Sequence, residues 1–167
     1  MRPKRAAGAA CLVAAGVVML GSFLPWLQGG SSCGESQVIF VYKDLWQLGT
    51  ADYGSWYSTA LWLVVGGALI LALVGTNALG LPLLRWLDPW PWALPLIATA
   101  LIAVGTLGTH LPPALQLSPE CSSSIALGLG KRVCVGGSAI GVVATMWILI
   151  SSRSLKHANS DPRLQGV

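Results

Sequence analysis

Six carboxylates, two histidines and four cysteines are the side chains of this 167-residue sequence best suited to acid–base, metal or thiol chemistry. Their spacing assembles none of the familiar sites. Glu35, Asp44, Asp52 and Glu120 are scattered through segments between hydrophobic runs, with nothing to set two of them at working distance. HExxH and Walker A motifs are missing. Gly128-Leu129-Gly130-Lys131 lacks the flanking pattern of a phosphate loop. His110 closes a hydrophobic run beside Pro112 and reads more readily as an interfacial residue than as a titrating switch. No catalytic residue, cofactor or metal-ligand set is expected.

The cysteines carry more information. Cys11 lies inside the first hydrophobic run and reads as a small packing residue. Cys33 and Cys121 fall in two separate polar segments, and Cys134 opens the last hydrophobic run. If those segments face an oxidising compartment, a disulfide can form. Cys33 with Cys121 would staple two loops together, and Cys121 with Cys134 would close a short loop around Lys131 and Arg132. The first is slightly favoured, because Cys134 starts a helix and can point into a bundle. No CxxC is present, which argues against a thiol oxidoreductase.

The elements that hold these residues are hydrophobic. Apolar residues make up 54% of the chain and charged residues 10%, well below the roughly 25% of an ordinary soluble domain. Four runs, residues 6–27, 57–76, 92–111 and 133–150, contain no Asp, Glu, Lys or Arg and have the length of a membrane span. Each must be helical, since an open strand in lipid leaves backbone groups unpaired. The expected fold is an all-α four-transmembrane-helix bundle over residues 1–151, with a flexible cytoplasmic tail at 152–167. The first run is taken as an uncleaved helix, being longer than a usual signal-peptide core and lacking a clear cleavage site.

Basic residues divide the loops. Arg2, Lys4, Arg5, Arg85, Arg153, Lys156 and Arg163 fall on one side of four spans, and only Lys43, Lys131 and Arg132 on the other. The positive-inside rule then puts both termini in the cytoplasm and two loops, 28–56 and 112–132, outside the cell membrane. The net charge of +4 is therefore a topology signal, and nucleic acid is not an expected partner. Trp26, Trp46, Tyr53, Trp56 and Tyr57 near one face, and Trp86, Trp90, Trp92 and Trp147 near the other, read as interface anchors.

In the first outer loop, Gln37 to Tyr42 is rich in β-branched and aromatic residues and suggests a short strand or hairpin. Phe40, Tyr42 and Trp46 form a candidate partner surface there. Gly137 and Gly141 make a GxxxG in the last span, read as a helix-packing face with partner binding as the alternative. The charge-free spans argue against ion-coupled transport, which needs ionisable groups in the membrane.

Gly21-Ser22-Phe23-Leu24-Pro25-Trp26, the Gly/Ser loop with its aspartate–leucine segment, and the glycine-rich last helix resemble small four-helix membrane proteins of actinobacteria. That resemblance covers most of residues 6–150 and implies the four-span fold but no reaction. The architecture is also similar to claudins, whose first outer loop bears strands. This loop departs from that pattern in having one cysteine rather than a pair, so the claudin function is not carried over. The sequence thus points to a non-catalytic accessory or scaffolding component of a cell-envelope membrane complex, with a membrane-protein partner or self-association in the lipid bilayer. The alternative is binding or carriage of a lipid or other apolar small molecule within the bundle.

Overall fold

The structure is a computed structural model that describes residues 3–33, 38–50, 55–80, 93–109, 121–123 and 126–159. Its elements are α1 (Pro3–Phe23), β1 (Pro25–Cys33), β2 (Val38–Asp44), α2 (Leu45–Thr50), α3 (Ser55–Ala78), α4 (Ala93–Leu107), β3 (Cys121–Ser123), β4 (Ala126–Leu127) and α5 (Leu129–Asn159). Among the described residues, three helices are long and apolar enough to cross a membrane, Arg5–Phe23, Trp56–Ala78 and Leu129–Trp147, which is compatible with a multi-pass membrane protein. The fourth, α4, is apolar but has 15 residues, about 22 Å of helix against a hydrocarbon core of about 30 Å.

The ends of these helices differ from the expected spans for local reasons. α1 stops at Phe23 rather than running to residue 27. Pro25 pushes the residue before it out of the helical region, and the chain turns directly into β1. α3 closes with Gly80 at φ +93, a left-handed conformation that only glycine adopts cheaply, and the Gly80 N–H donates to the Asn77 carbonyl at 3.0 Å. α4 ends at Leu107, short of the expected 111; His110, Pro112 and Pro113 lie outside the described residues. Pro95 sits in the first turn of α4, where its missing N–H costs least. α5 begins at Leu129 and continues to Asn159, so the segment expected to begin the tail is helical up to that point.

Close approaches set the helix order. Near the start of α1, Gly8 faces Gly75 and Ala78 at the end of α3. At the end of α1, Gly21 faces Gly130 and Cys134 at the start of α5, and Gly105 near the end of α4 lies against Ala60 and Val64 near the start of α3. α1, α3, α4 and α5 therefore run alternately up and down, with α1 and α4 each packed against both α3 and α5. A Cβ at Gly137 would come within 2.7 Å of Val18 Cγ2, and one at Gly67 within 2.7 Å of the Ala98 carbonyl oxygen. Neither backbone could sit where it does with a larger residue. Ala14, Val18, Val64, Leu71, Ala98 and Ile102 fill the interior between these contacts.

The strands form one sheet at a single end of the bundle, in the order β2-β1-β3, with β4 also on β1 and every pair antiparallel. The expected hairpin is thus present as β1–β2, and the two short strands before α5 add to it. The Gly/Ser stretch Gln28–Ser32, poor in strand formers, lies in the central strand. Pairing on both edges compensates for its low intrinsic propensity.

Candidate functional site

The sheet end of the molecule is organised around two tryptophans. Trp26 sits at a register shift between Pro25 and Leu27, and is 1% exposed. Its indole N–H donates to the Gly21 carbonyl at 2.9 Å, one of the last carbonyls of α1, which have no intrahelical donor. Its own carbonyl accepts from the Gly128 N–H at 2.7 Å, tying β1 to the entry of α5. Gly128 carries no side chain where one would run into the Pro25 carbonyl.

Trp46 completes the arrangement from α2. Asp44 caps that short helix, its Oδ1 accepting from the Gln47 N–H at 2.7 Å. Leu45 and Leu48 are fully buried and hold α2 against α3 and α1. The Trp46 indole N–H then donates to Ser22 Oγ at 3.1 Å, and Ser22 Oγ donates to the Met19 carbonyl at 2.7 Å. The Trp46 ring stacks on Phe23 with centroids 5.5 Å apart. The sheet and α2 are therefore bound to the C-terminal turn of α1 through hydrogen bonds from two indoles and packed leucines.

This changes the role of several aromatic residues. Trp26 and Tyr57 are buried against neighbouring elements. Burial wins because each lies where two elements meet, a position the sequence alone does not reveal. Trp56 is exposed, and so is Trp62 in the middle of α3. Tyr53, Trp86, Trp90 and Trp92 lie outside the described residues.

The candidate partner surface divides in the same way. Tyr42 is 63% exposed, whereas Trp46 is half-buried and spent on Ser22 and Phe23. Phe40 lies opposite Gly30 in the β1–β2 ladder. Gly137 and Gly141 face inwards, the first against Val18 and Ala14 of α1 and the second against Thr99 of α4 and Leu71 of α3. Both approach neighbouring helices closely.

Of the cysteines, Cys11 and Cys134 are free and buried. Cys134 Sγ lies 3.4 Å from the Val18 carbonyl, inside the α1–α5 contact. The alternative pairing of Cys121 with Cys134 does not describe this arrangement, because the helix turns Cys134 into the bundle. Cys33 and Cys121 stand opposite each other in the β1–β3 ladder.

Inside the bundle the polar groups serve the helices themselves. Thr99, Thr106, Thr109 and Thr145 are buried, and each hydroxyl donates to a carbonyl three or four residues earlier. Among the described residues, every buried side-chain nitrogen or oxygen has a partner, and no group of three His, Cys, Asp or Glu residues is placed to hold a metal ion. Lys131 Nζ donates to the Thr109 carbonyl at 2.8 Å, which places a cation just beyond the C-terminal end of α4, where the helix dipole favours it.

The feature that motif reading missed lies on the far half of α5. Val142, Val143, Met146, Trp147 and Ile150 line an open apolar groove of roughly 420 Å³, and all five are exposed. They occupy one helix face, set off from the Gly137, Gly141, Ala144 and Thr145 face that packs inwards. The sequence signal was the run of large apolar residues interleaved with that small-residue series. Comparison with known protein families, curated proteins and solved structures finds no match.

Proposed function

We propose that this chain is a non-catalytic integral membrane component, an accessory or scaffolding subunit of a cell-envelope complex. In this reading α4 is the fourth span, both termini are cytoplasmic and the sheet lies outside the membrane, as the lysine and arginine distribution favours. The observation that carries the proposal is the division of apolar surface. The small residues face inwards and close the helices on one another, while the large residues of α5 form an apolar face turned outwards. Such a face suits the ridged surface of another transmembrane helix, which gains packing that disordered lipid tails do not supply.

A photo-crosslinking amino acid placed at Val143 or Met146 in the native host tests this. The expected result is one defined protein adduct, lost when Val142 and Trp147 are both changed to alanine, with no adduct from the inward position Ala144. Crosslinks to lipid alone at both groove positions would overturn it. That outcome would support the second reading, an acyl chain or other apolar molecule held in the groove, which its largely apolar lining favours.

A further inference from the structure

We draw no further inference here: the strongest candidate, the outer edge of β2 (Val38–Asp44), which pairs with no second strand among the described residues and leaves Tyr42 exposed beside it, carries nothing because no feature of the structure shows what covers it.

Discussion

Gly66 and Gly67 are neighbours on α3, and the structure predicts opposite effects of the same substitution at each. A Cβ at Gly66 meets nothing within 4 Å. Gly66→Ala therefore adds only the helix preference of alanine, up to about 1 kcal/mol in water. At Gly67 the new carbon falls 2.6 Å from Ile102 Cγ1 and 2.7 Å from the Ala98 carbonyl oxygen. Ile102 is fully buried, and the Ala98 oxygen belongs to the α4 backbone, so no rotamer change relieves the contact. The α3 and α4 backbones must part by about 0.8 Å to reach an ordinary separation of about 3.5 Å. Overpacking of this kind costs about 1–3 kcal/mol. The two variants should then differ by about 2 kcal/mol or more, roughly thirtyfold in the ratio of folded to unfolded protein. Purified variants in mild detergent would be unfolded by raising the mole fraction of dodecyl sulfate, followed by far-ultraviolet circular dichroism. Gly66→Ala should unfold at or above the wild-type midpoint and Gly67→Ala clearly below it. Equal midpoints, or a more stable Gly67→Ala, would refute the account of α3–α4 packing.

The same contrast is expected on α5, where Gly136→Ala should be tolerated and Gly137→Ala should destabilise by about 1–3 kcal/mol, since only Gly137 faces Val18 and the Ala14 carbonyl. Trp26→Phe removes the hydrogen bond to the Gly21 carbonyl and leaves a void in a fully buried site; a loss of about 2–3 kcal/mol is expected in the same unfolding assay, against about 1 kcal/mol for the half-buried Trp46→Phe. Lys131→Met keeps the aliphatic stem but loses the charged donor to Thr109, and mass spectrometry should show faster amide exchange over the last turn of α4. Cys11 and Cys134, both 0% exposed, should resist a membrane-permeant maleimide in native detergent micelles and react fully once the protein is denatured.

The helices were legible in the sequence because burial in lipid is a demand on consecutive residues. Stretches such as Tyr57–Thr76 contain no charge and can only be helical where no water pairs the backbone. Other features depend on partners distant in sequence. Trp26 has the type and position of an interface anchor, and it is buried because Gly128 and the end of α1 close over it. The Gly/Ser stretch Gln28–Ser32 lacks strand propensity, and it becomes the central strand because β2 lies on one edge and β3 and β4 on the other.

The candidate surfaces divide on the same line. Trp46 belonged to an aromatic cluster in the sequence, but only the fold shows that Ser22 and Phe23 consume it, leaving Tyr42 exposed. Composition and periodicity, which act between near neighbours, were enough to specify apolar helices, small-residue faces and the scarcity of chemistry-bearing groups. Which face of α5 is covered and which stays open, which glycines are contacts, and which cysteine stands opposite Cys33 were decided by tertiary structure. Those facts are set by register between segments far apart in the chain, and no single segment encodes the position of its partner.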